Sequence, residues 1–210
     1  MDPQPVTVGV VQRNHPAETV CGDAWTVDWV GSCCRVAVID GLGHGPAAAE
    51  AARAAVLRLE QDASLDPAAA LLACHHALKG TRGAAATIAA IDLSATRLTY
   101  AGVGNVEGRL VTPGGDERLV AFRGIVGGHH LHLRPLSLDL VEPWTFILHT
   151  DGVSARFDTD DVPELESGDP SQVASAILER YGRDHDDATV VVLKSGQASD
   201  VAPAREATRG

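Results

Sequence analysis

The chain has 210 residues and a formal net charge of −11, with 28 acidic against 17 basic side chains. That length suits one domain with a substantial core, and that charge excludes a general nucleic-acid or anionic-membrane partner, since both demand a basic surface. A phosphorylated substrate is not excluded, because bound metal ions reverse a local field.

Residues 1–194 are read as a single domain, with residues 1–5 a short polar lead and 195–210 a disordered tail, neither holding enough apolar area to bury. Val6–Gln12 reads as a strand, followed by a polar turn through Asn14-His15-Pro16. Ala24–Trp29 and Cys34–Ile39 alternate or run apolar on either side of Gly31-Ser32, the pattern of a hairpin. Pro46 then opens a helix over the Ala-rich Ala47–Glu60, and a second helix runs from Asp66-Pro67 to Lys79 and stops at Gly80. Strands return at Ala85–Ile91, Arg97–Val103, Val106–Val111, Arg118–Arg123, Leu136–Leu140 and Thr145–His149. Turn signals separate them at Pro113-Gly114-Gly115, Gly127-Gly128 and Glu142-Pro143. A helix opened by Asp169-Pro170 carries Val173, Ala174, Ile177, Leu178 and Tyr181 on one face, Gly182 closes it, and Thr189–Leu193 is a final buried strand. Helices grouped around a mainly antiparallel strand set predict a layered α+β sandwich rather than a doubly wound βαβ fold.

No run is long enough to span a membrane and Met1 is not followed by a basic, apolar leader, so a cytoplasmic protein with no membrane partner is expected. Cys21, Cys33, Cys34 and Cys74 lack Cys-x-x-Cys spacing and read as reduced, small apolar residues. His75-His76 cannot share a helix face, and His129, His130 and His132 lack a further ligand nearby, so both sets read as non-metal histidines. The acidic stretch Asp158–Asp169 reads as a solvated loop, and Trp25, Trp29 and Trp144 as core or sheet-face residues.

Chemistry points to four aspartates placed where apolar runs break: Asp23 after Gly22, Asp40 and Asp151 each before Gly, and Asp186 before the last strand. Hard oxygen ligands at strand ends, with Gly giving close backbone access, are what a magnesium- or manganese-type site needs. A single Asp-Gly is an ordinary turn. Four such positions in order suggest strands converging to build a carboxylate cluster at one end of a sheet.

In order along the chain stand Gly22-Asp23, Asp40-Gly41-Leu42-Gly43-His44-Gly45, Thr81-Arg82-Gly83-Ala84-Ala85, Ala101-Gly102-Val103-Gly104-Asn105, Gly124-Ile125-Val126-Gly127, Thr150-Asp151-Gly152 and Asp186-Asp187-Ala188-Thr189. With these motifs, from about residue 9 to 193, the chain resembles the PPM-class metal-dependent protein phosphatases related to protein phosphatase 2C. Within that class it is most similar to the SpoIIE-like branch and its RsbX-type serine phosphatases.

The resemblance implies an αββα sandwich, two stacked antiparallel sheets flanked by helices, with two Mn²⁺ or Mg²⁺ ions at one edge. It assigns Asp40 as the bridging carboxylate, the Gly41 carbonyl as a ligand, Asp151 and Asp186 to the other metal, and Asp23 to support of the first. Asp186 is taken over Asp187 because the family's ligand is the first residue of that pair. Two features depart from the wider pattern. Phosphatase 2C enzymes carry His directly after Asp-Gly, where this chain has Leu42, so His44 is the candidate general acid. They also place a phosphate-binding Arg just before the first acidic motif, where Glu18, Thr19 and Val20 stand here, so Arg82 is the candidate substitute. The implied activity is a phosphoserine/phosphothreonine protein phosphatase acting on a phosphorylated STAS-domain protein, RsbS- or RsbR-like, of a stressosome or partner-switching pathway. Two other readings are a catalytically weak docking module for such a STAS partner and a phosphohydrolase of small molecules.

Overall fold

Alternation along one strand sets the layers. A computed structural model describes residues 6–64 and 66–196, and in it Val36 and Val38 of β3 (Cys33–Gly41) are buried in one apolar cluster while Ala37 and Ile39 are buried in another. Successive side chains of a strand point to opposite faces, so β3 is covered on both sides.

Two five-stranded antiparallel sheets build the middle of the molecule. One runs β1 (Val6–Arg13), β10 (Ala188–Ser195), β9 (Thr145–His149), β6 (Glu107–Thr112), β7 (Gly115–Arg118). The other runs β2 (Asp23–Val30), β3, β4 (Ala84–Asp92), β5 (Arg97–Val103), β8 (Leu136–Asp139). Leu98, Tyr100, Trp144, Phe146, Leu148 and Val191 fill the space between them. Helices α1 (Pro46–Glu60) and α2 (Pro67–Ala77) cover the outer face of the β2–β8 sheet, where Ala48, Ala51, Ala52 and Ala55 let α1 lie close. Helix α4 (Pro170–Tyr181) covers the other sheet through Val173, Ala174 and Ile177. The order helix, sheet, sheet, helix is the expected αββα sandwich. Asp66 caps α2 by accepting from the Ala68 and Ala69 amides, and Asp169 forms a capping box with Gln172 on α4, so the sequence signals mark real helix starts.

The predicted strand Arg118–Arg123 is corrected. Only Gly115–Arg118 pairs as β7, and residues 119–126 cross from one sheet to the other. Leu119 N–H donates to Gly108 O in the first sheet, Phe122 N–H to Gly102 O in the second, and Val126 exchanges bonds with Ala84. A crossing segment satisfies its backbone without a ladder, and its apolar run Leu119–Phe122 between two arginines gives the same sequence pattern as a short strand. The acidic stretch is also more structured than a loop. It holds a 3₁₀ turn (Thr159–Asp161) and the short helix α3 (Glu164–Ser167), pinned by buried Phe157 and Val162. The predicted C-terminal tail and residues 1–5 lie outside the described residues, apart from Ser195 and Gly196. Among the described residues no helix is long and apolar enough to cross a membrane.

Candidate metal centre

Register places the first two carboxylates side by side. Asp23 opens β2 directly opposite Asp40 on β3, and Asp40 in turn faces Ala85 on β4. The other sheet delivers Asp151 two residues past the end of β9, and Asp186 two residues before β10. All four therefore gather where the two sheets open at the same end.

Thr150 ties that end together. Its hydroxyl donates to Asp23 Oδ2 at 2.7 Å and accepts from Thr189 N–H, while its own N–H donates to Thr189 O. Gln12 adds a second stitch, donating from Nε2 to Asp23 O at 3.1 Å and to Thr189 Oγ1 at 3.0 Å. Asn105, at the β5–β6 turn, donates to Asp151 Oδ2 at 2.5 Å. Close approaches here require glycine. A Cβ on Gly41 would lie 2.1 Å from Ala48 O, and one on Gly152 would lie 1.9 Å from Asp187 O.

Electrostatics at the cluster are one-sided. Burial, then the nearby Asp151 and Asp187 charges, push Asp23 up from 3.8 to about 7 even against the hydrogen bond from Thr150. Burial and the charges of Asp23, Asp151 and Asp186 hold the Asp40 carboxyl far above the usual carboxylate range. Asp186 is raised by burial and by Asp151. Among the described residues none of these four pairs with Lys or Arg. Asp186 shares the field of Asp40 and Asp151, whereas Asp187 is buried, accepts from His15 N–H at 2.8 Å, and leaves Oδ2 without a hydrogen-bond partner.

No three His, Cys, Asp or Glu side chains among the described residues already close on one point as a metal cage. The donor set nonetheless fits hard divalent cations: carboxylates converging in a half-buried site, mutually repelling, with no cationic side chain to offset them. A raised folded-state pKa means that the native protein binds more protons than the unfolded chain. For Asp23 the stabilising contribution is present in full below 3.8 and is lost as pH rises through about 7. Metal-free protein is thus expected to lose stability from pH 4 to 7, at about 1.4 kcal/mol per pH unit per group, with Asp40 extending the fall upward. Mn²⁺ would raise the melting temperature more at pH 8 than at pH 6. Calorimetric melting with and without Mn²⁺ checks both; a metal-free Tm that climbs over that range contradicts them.

His44 lies beside the cluster rather than in it. Its Nδ1 is 2.6 Å from Glu18 Oε1, and its ring stacks on His15 with centroids 4.4 Å apart and planes 10° apart. The Glu18 carboxyl also fills the space where a Cβ on Gly45 would be, 2.6 Å away, at the start of α1, where the helix dipole favours an anion. Arg82 is exposed and lies over Gly43, with Nη1 2.9 Å from that residue's Cβ position. The loops are locked together by the Leu42 N–H to Gly83 O bond. Sequence reading assigned no role to Glu18, His15, Gln12 or Asn105. Only Asn105 sat within a quoted motif; the others lie where no Asp-Gly break draws the eye.

The Stage II sporulation protein E (SpoIIE) family model matches residues 31–195. The chain belongs to the SpoIIE family. That match takes in Asp40, Gly41, Asp151 and Asp186 and begins downstream of Asp23. The phosphoserine phosphatase RsbX of Bacillus subtilis (strain 168) is 30% identical over 191 residues, covering 90% of this chain and 94% of RsbX. RsbX solved with magnesium superposes with a TM-score of 0.81 at 28% identity, covering 91% of this chain and 96% of that one. A chain solved in work on the bacterial stressosome, described as a modular system adapted to control secondary messenger signalling, superposes at 0.84 with 31% identity, covering 90% and 100%. The PP2C phosphatase domain of SpoIIE from Bacillus subtilis shares the fold at a TM-score of 0.78 and 19% identity, covering 92% of this chain and 64% of that one.

Proposed function

We propose that this SpoIIE-family protein is a metal-dependent phosphoserine/phosphothreonine protein phosphatase. Its substrate is a phosphorylated STAS-domain protein, RsbS- or RsbR-like, of a stressosome or partner-switching pathway, met in the cytoplasm by the single domain of residues 1–194. The observation that carries this is the convergence of four uncompensated aspartates from both sheets, in a chain 30% identical to a phosphoserine phosphatase.

Asp23, Asp40, the Gly41 carbonyl, Asp151 and Asp186 would hold two Mn²⁺ or Mg²⁺ ions; RsbX, 28% identical over its solved structure, has been solved with magnesium. Such ions would lower the pKa of a bound water and offset the charge of the phosphoryl oxygens. The chain's own groups do the rest. Thr150 and Gln12 fix Asp23, and Asn105 fixes the Asp151 carboxylate. Arg82, beside the Asp40 loop, anchors the incoming phosphate with its guanidinium fork. His44 hands a proton to the departing serine oxygen, its imidazole held by Glu18 on Nδ1 and by His15 on its face. The free ring nitrogen, Nε2, is the one available to the leaving group.

The test is phosphate release, with Mn²⁺ supplied, from a phosphoserine STAS protein and from a nucleoside monophosphate. Remote contacts of a protein substrate raise its kcat/KM, and a preference of at least about a hundredfold for the phosphoprotein is expected. A nucleotide turned over as fast as the phosphoprotein would move the assignment to a small-molecule phosphohydrolase.

A further inference from the structure

Between Glu117 and Asp139 the sequence carries no acidic residue, in a chain with 28 of them, and holds Arg118, Arg123, Arg134, His129, His130 and His132. Geometry puts residues 122–126 of this segment beside the loops that flank the carboxylate cluster. Gly124 O is 3.6 Å from the Cβ position of Gly104, next to the Asn105 that holds Asp151. One residue on, Ile125 Cγ2 is 2.6 Å from the Cβ position of Gly83, next to Arg82 over the Asp40 loop. Lys79 Nζ donates to Gly128 O, which brings a fourth cation to the same side, and His132 packs edge-on against Phe122 with centroids 5.5 Å apart.

Lys79, Arg82, Arg123 and Arg134 are all exposed, and among the described residues none pairs with a carboxylate. Arg13, Arg35, Arg97, Arg109 and Arg180, by contrast, each pair with a carboxylate. Ile125, 41% exposed, gives that surface an apolar contact point among the charges.

We infer that this basic rim docks an acidic polypeptide segment flanking the phosphoserine of the substrate protein. Charge complementarity selects that occupant. In a molecule of net charge −11, an acidic flank is favoured along this rim of unpaired cations, and that orientation delivers the adjacent phosphoserine to the cluster. The inference rests on the phosphatase reading for its substrate class, while the contact itself can be read without turnover.

The probe is a fluorescein-labelled phosphoserine peptide with Asp and Glu flanks, against the same peptide with Asn and Gln flanks, followed by anisotropy on the full chain. Each exposed ion pair is worth up to about fivefold, so the acidic peptide is expected to bind about tenfold more tightly at low salt, with the advantage shrinking as salt rises. The double variant Arg123→Glu, Arg134→Glu is expected to abolish the preference. Equal binding of the two peptides by the wild type, or a preference retained by the double variant, overturns the inference. Hydrolysis of p-nitrophenyl phosphate by the same preparations, with Mn²⁺, reports on the phosphatase reading separately: it needs no flanking residues and is expected to change less than about twofold in the double variant.

Discussion

Asp40→Asn is expected to give a protein that melts higher than the wild type without metal and hydrolyses essentially nothing with it. Asp40 faces Asp23 across the β2–β3 ladder, and burial with three neighbouring carboxylates opposes its ionisation. Asn is isosteric and uncharged, so at pH 8 folding no longer has to take up a proton to keep that carboxyl un-ionised, a gain of about 1–3 kcal/mol. The same change removes a carboxylate proposed to hold the metal, and turnover is expected to fall at least about a hundredfold. The Mn²⁺-induced rise in melting temperature disappears with it, since a ligand stabilises only through its affinity for the native state. Scanning calorimetry with and without Mn²⁺, beside steady-state turnover, separates these effects. A variant that melts lower without metal, or that keeps the Mn²⁺ shift, contradicts the assignment of Asp40. Activity bought with stability is the usual character of a charged site.

His44→Gln and Glu18→Gln are expected to discriminate between leaving groups. A serine alkoxide is a poor leaving group that needs a proton in the transition state, whereas p-nitrophenolate departs without one. General acid catalysis supplies about 10²–10⁴-fold, so His44→Gln is expected to lower kcat on a phosphoserine peptide by about a hundredfold. The loss on p-nitrophenyl phosphate is expected to be smaller by about tenfold or more. Glu18→Gln keeps the shape against Gly45 but not the charge 2.6 Å from His44 Nδ1, so it is expected to show the same pattern at about a tenth of the size, in kcat rather than KM. Losses equal on the two substrates would reduce both residues to loop scaffolding.

The sandwich was legible because each layer writes its own period. The continuous apolar run of β3, the alanine-rich faces of α1 and the Asp-Pro helix starts at residues 66 and 169 each have one structural solution. Residues 118–123 were not, because a segment bridging two sheets carries a short apolar run between charges as a strand does while pairing with neither sheet for long. The acidic stretch hid its structure because Phe157 and Val162 are isolated anchors in a polar run. The four aspartates were legible because carboxylates at strand ends are rare in combination. Their supports were not: Thr150, Gln12 and Asn105 reach Asp23, Asp23 and Asp151 through hydrogen bonds across 127, 11 and 46 residues, a relation with no local signature. Glu18 and His44 are likewise joined only when the β1–β2 loop folds against the start of α1.

The most direct test is phosphate release from a phosphoserine STAS protein by the wild-type chain, with Mn²⁺ supplied and then chelated. Release that needs the metal, and that is lost in Asp151→Asn, is the expected result. A folded wild type that releases phosphate equally well under chelation, or none with metal present, contradicts the reading of the carboxylate cluster as a metal-dependent phosphatase centre.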